Sequence, residues 1–269
     1  YNKLFIFFIF LIFLIFFLDI IYGNFFNLIR NSELFTITSK IDNYSTDTII
    51  LGSSTSKYLI NPNLFLDNSF NAAKNGEGVL YSIILLDNLK NINKLESIII
   101  GLDPEDLKYK YNSKEDINNI RKLLLIDQKQ NISNYFINKN PFYNKLLSQL
   151  NLYNFKYLPY MLLDFFRSKD SINGFKALND SIINSVTIID KVKLCNYDGL
   201  SEDSLYILNK FFNLAKEHNI KLIFHIPPIY SKFQDKDKCN KKIIQEIDLL
   251  ISNYPQHCNL IGVYSEQNY

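Results

Sequence analysis

The sequence predicts an α/β domain, a three-layer doubly wound sandwich on a mainly parallel five-stranded sheet, carried behind an N-terminal transmembrane helix. Three observations predict it. Short apolar runs that end in Gly, Pro or Asn alternate with segments of helical periodicity. One long apolar run lacks a polar face at any helical angle. The chain has 269 residues, 47% hydrophobic and 21% charged, enough to bury a sizeable core and too apolar for disorder as a whole.

The long run comes first. Leu4 to Leu18 reads LFIFFIFLIFLIFFL, and Ile20 to Tyr22 extend it past Asp19 to roughly the 18 residues that span a bilayer. No small-x-small cleavage site follows; Phe25, Phe26, Leu28 and Ile29 do, which favours a retained anchor over a cleaved signal. Residues 1–30 are therefore expected to be the anchor with its flank, and 31–269 the α/β domain. Lys3 before the run and Arg30 after it bias the orientation only weakly. The chain opens on Tyr1 and not on Met, which reads as a fragment.

After a polar stretch from Asn31 to Asp47, Thr48–Leu51 followed by Gly52 reads as a buried strand. Ser69–Ala73 is a weak second strand that ends at the turn Asn75-Gly76. Val79–Leu89 has helical spacing, and Ser97–Leu102 is a third, fully buried strand. Leu205, Leu208, Phe211, Phe212 and Ala215 line a helix face, with Ser201 as N-cap and Asn219 as stop. Ile220–Ile226, stopped by Pro227-Pro228, is the fourth strand. A helix over Lys241–Ser252 and a strand over Leu260–Tyr264 follow. Residues 104–200 break the alternation and read as a helical insertion, with a helical patch over Phe142–Phe166. The alternation requires βαβ units with right-handed crossovers, and a flavodoxin-like strand order is expected.

Several function classes fall away on composition. With 29 basic and 27 acidic side chains the net charge is +2, which argues against nucleic-acid binding. Three Cys exclude a disulfide framework and a Cys-only zinc site, and the Cys239, His257, Cys258 spacing fits no zinc pattern. Cys239 and Cys258 remain a candidate pair in an oxidising compartment, with Cys195 left free. Neither a P-loop nor a G-x-G-x-x-G after a strand is present, and no cofactor is expected.

In an open parallel sheet, ligands bind beyond the carboxyl ends of the strands. There the chain places Gly52-Ser53-Ser54, then Asn71 through Asn75-Gly76, then Gly101-Leu102-Asp103-Pro104, and finally His225. A serine that follows a strand and opens a helix has amides and a helix dipole aimed at a developing oxyanion. Such serines also cap helices with no further role. Asp103, Glu105 and Asp106 fit the first turn of a helix that begins at Pro104 better than a cation site. His218 suits a helix C-terminus, and His257 a surface turn.

Together these blocks resemble the SGNH (GDSL-like) hydrolase superfamily. The likeness is strongest to its membrane-anchored branch, which includes teichoic-acid D-alanyl transfer and polysaccharide O-acetylation proteins. It covers roughly Thr48 to Asp106 well and the last two strands in pattern only. The resemblance implies that Ser54 is the nucleophile and that Ser54, Gly76 and the third block form the oxyanion hole. Ser53, Asn71, Asn75 and His225 would then touch substrate or support these groups.

Two departures stand out. Asp103 occupies the place of the family's Asn; a carboxyl donates to an oxyanion only when protonated, and Asp103 otherwise caps the Pro104 loop. None of the three histidines lies in an Asp-x-x-His block, which the resemblance would place beyond residue 269. His225 is then a substitute base or a group that orients substrate.

The implied activity is that of a serine esterase or O-acyltransferase on cell-envelope glycans or their acyl donors, working through an acyl-enzyme outside the cytoplasm. The implied partners are the lipid bilayer, a glycan or acyl donor, and other envelope assembly proteins. Two alternatives remain: a degenerate, SGNH-like binding or scaffold component of an envelope polysaccharide assembly, and a nucleotide- or phosphate-binding domain of flavodoxin type.

Overall fold

The computed structural model describes residues 2–43, 46–64, 68–74, 78–104, 106–108, 131–139, 199–226 and 237–261. Five strands form one sheet: β1 (Thr48–Leu51), β2 (Ser69–Asn71), β3 (Ser97–Gly101), β4 (Lys221–His225) and β5 (Cys258–Ile261). Every pairing is parallel and the order is β2-β1-β3-β4-β5. Six helices are described: α1 (Asn2–Asn43), α2 (Ser54–Leu59), α3 (Val79–Asn88), α4 (Asn131–Asn138), α5 (Glu202–His218) and α6 (Asp237–Ile251). The chain groups into two units, Tyr1–Thr36 with Tyr111–Asp170 and Ile37–Lys110 with Ser171–Tyr269. The sheet lies wholly in the second.

In the first unit, α1 carries Lys3–Phe25, a 23-residue stretch long and apolar enough to cross a membrane. At 1.5 Å per residue it measures about 35 Å, against about 30 Å of hydrocarbon. Every residue from Lys3 to Phe17 is exposed. The helix continues through the polar stretch to Asn43. From Asn24 to Asn43 no Gly or Pro interrupts it, so nothing in the backbone stops propagation. Also in this unit is α4, inside the expected insertion, with Ile132 and Phe136 buried one turn apart. The predicted patch Phe142–Phe166 lies outside the described residues.

In the second unit, strand alternation sorts the core into two faces. Ile49, Ile98 and Leu222 stand in one row, and Leu51, Ile100 and Phe224 in the next, all fully buried. Phe224 meets Phe211 and Phe212 of α5 edge-on, at ring-centroid distances of 6.3 and 5.8 Å, and Phe212 stacks on Tyr254 at 4.6 Å. Each such pair adds about 0.5–1.5 kcal/mol beyond burial. On the opposite face Ile50, Ile60 and Ile99 cluster, with Ile223 packed against them.

The cap residues of α5 are those read from the sequence. Ser201 Oγ accepts from Ser204 N at 3.0 Å, and Asn219 adopts the left-handed conformation at φ 55°. The Leu107 carbonyl accepts from Ser201 N (3.2 Å) and Ser204 Oγ (2.8 Å), which joins the chain leaving β3 to the start of α5. The Glu246 carboxylate of α6 accepts from Leu200 N at 2.7 Å beside Gly199, which adopts φ 135° and where a Cβ would come within 2.4 Å of Glu246 Oε1.

Three boundaries differ from expectation. β2 stops at Asn71 because the Asn71 side chain captures Ala73 N at 3.0 Å and turns the backbone. β5 begins two residues earlier than predicted because it pairs with β4 at Leu222↔Cys258. The last helix starts at Asp237 instead of Lys241. Cys258 is a buried free thiol, so the candidate pairing with Cys239 is not made.

Candidate active site

The crossover from β1 through α2 leads to β2, and the next, through α3, returns past β1 to β3. The chain thus leaves β1 towards β2 on one side and leaves β3 towards β4 on the other, the arrangement that places a crevice at the carboxyl ends of β1 and β3. Gly52, Gly101 and His225 stand side by side along that edge, as the residue after β1 and the last residues of β3 and β4.

Close packing holds the start of α2 against this edge. Ser56, buried at 3% exposure, lies over both glycines. A Cβ on Gly52 would come within 2.4 Å of Ser56 Oγ, and one on Gly101 within 1.6 Å. Gly52 also adopts φ 132°, a conformation open to glycine and strained for other residues. From β2, the buried Asn71 amide donates to the carbonyls of Ser56 (3.1 Å) and Ile60 (2.8 Å). Both ends of α2 are thereby tied to the sheet, and with them the serines at its start.

Ser53 is the N-cap. It is extended at φ −80° and ψ −167°, and its carbonyl accepts from Lys57 N at 3.1 Å. Its hydroxyl does not cap the helix but lies 3.5 Å from Thr55 Oγ1. Ser54, half-buried, is the first helical residue, and its hydroxyl has no hydrogen-bond partner among the described residues. That leaves its Oγ available to attack or be activated. Asn71 has the opposite character: both amide hydrogens and its oxygen are engaged by backbone at 1% exposure, and it clamps α2 to the sheet.

Half-buried Asp103 sits in the turn after β3, its carbonyl accepting from Asp106 N at 3.0 Å. Asp106 is in the first turn of a short 3-10 segment, Asp106–Lys108. Its Oδ2 lies 3.0 Å from the place a Cβ on Gly78 would occupy, a carboxylate set at the positive end of α3. Asn75, Gly76 and Glu105 lie outside the described residues.

His225 is half-buried at the end of β4, and its carbonyl accepts from Leu102 N at 2.8 Å. Burial pushes its pKa below the ordinary histidine value, so the ring is neutral at pH 7. By strand alternation it shares the face of Ile223, the face that α2 covers. The ring makes no hydrogen bond to a described residue, so Ser54 and His225 are brought to one edge without being joined. His218 ends α5, where its Nδ1 pairs with Asn93 Oδ1.

Two contributors were missed from sequence. Ser56 is the pivot under the site, and its one available signal was a small residue four positions after Gly52. Lys74 donates its backbone N–H to the Gly52 carbonyl at 3.0 Å and holds its ammonium 5.3 Å from the Tyr81 ring centroid, which sets a cation beside the crevice. No protein-family model matches the chain, and no curated protein matches it.

Proposed function

We propose that the chain is a membrane-anchored serine esterase or O-acyltransferase of the SGNH type. What carries the reading is the Ser54 hydroxyl at the start of α2, held at the β1/β3 crevice by Ser56 against Gly52 and Gly101. The parallel strand order β2-β1-β3-β4-β5 agrees with a flavodoxin-like, three-layer arrangement. The exposed apolar stretch Lys3–Phe25 suits a bilayer anchor that holds the domain outside the cytoplasm. Substrates of this reading are cell-envelope glycans and their acyl donors.

In the first half-reaction Ser54 Oγ attacks the ester carbonyl carbon and loses its proton to a base. In this reading the backbone amides of Ser54 and Gly76 stabilise the oxyanion, and the alcohol departs with a proton to leave an acyl-enzyme. Water or a sugar hydroxyl then attacks the acyl carbon, and Ser54 recovers its proton. The resemblance assigns the base to an Asp-x-x-His histidine; His225 is the neutral histidine that the described residues bring to this edge. Purified full-length protein is expected to release p-nitrophenol from p-nitrophenyl acetate, and Ser54→Ala to abolish the release. Full activity in Ser54→Ala ends the reading.

Asp103, in the place of the family's Asn, favours a second reading in which the crevice binds envelope glycan without turnover. Saturable glycan binding with equal, background hydrolysis in wild type and Ser54→Ala is its signature.

A further inference from the structure

The helix that carries Ser54 holds one charged side chain, Lys57, in its last turn. Lys57 is the only charged residue between Asp47 and Asp67 in the sequence. Its side chain is half-buried, and its ammonium makes no hydrogen bond, ion pair or ring contact with a described residue. Lys74, the other lysine of this edge, is engaged: its ammonium stands 5.3 Å from the Tyr81 ring centroid. A half-buried cation has given up part of its water, and Lys57 receives no counter-charge in return.

The contacts that fix Ser54 also fix Lys57. The Ser53 carbonyl accepts from Lys57 N at 3.1 Å and closes the first turn of α2. Asn71 ties the carbonyls of Ser56 and Ile60, on either side of Lys57, to β2. Ser54 and Lys57 are i, i+3 neighbours, with Cβ atoms about 5–6 Å apart. At about 100° per residue, Lys57 falls between Ser53 and Ser54 around the helix. Helical Cα–Cβ bonds tilt towards the N-terminus, which directs the four-carbon lysine stem back over the turn that carries both serines.

We propose that Lys57 is a specificity-determining residue: its ammonium pairs with an oxyanion, carboxylate or phosphate, on the alcohol part of the ester that Ser54 attacks. The proposal rests on Ser54 as the nucleophile. Charge complementarity selects this substrate class. An oxyanion supplies the counter-charge that α2 lacks, and the pair holds the reacting carbonyl one helical turn away, at Ser54. A neutral glycan ester leaves the ammonium without one. The alcohol part takes the anion because it is present in both half-reactions when a sugar hydroxyl accepts the acyl group, so one cation serves both. The substrate is then an acidic glycan with its carboxylate or phosphate close to the acylated hydroxyl.

The test follows hydrolysis of three aryl acetates by purified full-length protein: para-acetoxybenzamide, which is neutral, para-acetoxybenzoate and para-acetoxyphenyl phosphate. The readout is kcat/KM for each anionic ester divided by that for the neutral one, a ratio that a general loss of folding or activity does not move. Lys57→Gln is expected to lower this ratio about 10-fold, chiefly through KM. Lys57→Arg should keep it, and Lys57→Glu should lower it further. Added salt should lower the wild-type ratio and leave that of Lys57→Gln unchanged. A fall confined to the benzoate or to the phosphate supports the proposal and names the anion. Equal ratios in wild type and Lys57→Gln overturn it, also where all three rates fall together, which assigns Lys57 to the fold or to the chemical step. A wild type that hydrolyses none of the three esters refutes the esterase reading and the proposal with it, a result distinct from hydrolysis without anion preference.

Discussion

Replacing Gly101 by alanine perturbs a close contact that helps set the height of α2 above the sheet. The new Cβ would lie 1.6 Å from Ser56 Oγ and 2.9 Å from Ser56 Cβ. Rotating the hydroxyl away relieves the first clash only. The second is carbon against carbon, for which contact begins near 3.5 Å, so Ser56 and its helix must rise by about 0.6 Å or more. On the far side, Asn71 holds the Ser56 and Ile60 carbonyls at 3.1 and 2.8 Å and resists that movement. Overpacking of this kind costs about 1–3 kcal/mol. Urea unfolding of the full chain in detergent, followed by circular dichroism, is expected to show that loss in Gly101→Ala. Ser56→Gly alone should cost about 0.5–1 kcal/mol, from helix propensity and a lost buried contact. The double variant Gly101→Ala/Ser56→Gly moves the Cβ from helix to strand and should be more stable than Gly101→Ala, with a coupling of about 1 kcal/mol or more. Because Ser54 rises with the helix, ester hydrolysis by Gly101→Ala should fall by up to about 100-fold. A Gly101→Ala midpoint equal to wild type, or no gain from Ser56→Gly, refutes the packing argument.

Asn71→Ala strips the Ser56 and Ile60 carbonyls and the Ala73 amide of their buried partner and should cost about 2–5 kcal/mol in the same unfolding assay. A cost under about 0.5 kcal/mol contradicts the clamp. For His225 the folded pKa lies below the unfolded value of about 6.5. The unfolded chain therefore binds more protons in that window, and stability should be full above about pH 6.5 and fall on acidification below it. His225→Gln should flatten this part of the curve, and an unchanged slope counts against burial as the cause. Burial raises the Cys258 thiol to about 11, so the unfolded chain releases its proton first. Stability should decline as pH climbs from about 9 towards 11, and Cys258→Ala should remove that decline.

The fold was legible wherever one short segment carried its own signal. β1 and β3 are apolar runs closed by Gly52 and Gly101, and α5 is bracketed by Ser201 and Asn219, whose capping depends on neighbours in sequence. What lay hidden depends on partners far along the chain. β5 takes its register from Leu222, and β2 ends where the Asn71 side chain turns back on Ala73. α1 reaches Asn43 because no Gly or Pro interrupts the backbone between Asn24 and Asn43, and polar composition alone does not set a helix end. At the site, Ser53, Ser54 and His225 were visible as residues at strand ends. Ser56 was not, because its role exists only once β1 and β3 lie side by side and Gly52 and Gly101 face the same helix. Asn71 was expected to touch substrate or to support the site, and its amide is spent on α2.

The claim that Ser54 is an activated nucleophile is tested most directly by covalent trapping. Full-length protein is treated with a fluorophosphonate, digested and mapped by mass spectrometry. The account predicts a phosphonyl adduct on Ser54 alone, slowed in Gly101→Ala and missing in Ser54→Ala. An unlabelled Ser54, or labelling spread equally over Ser53, Ser54 and Thr55, contradicts it.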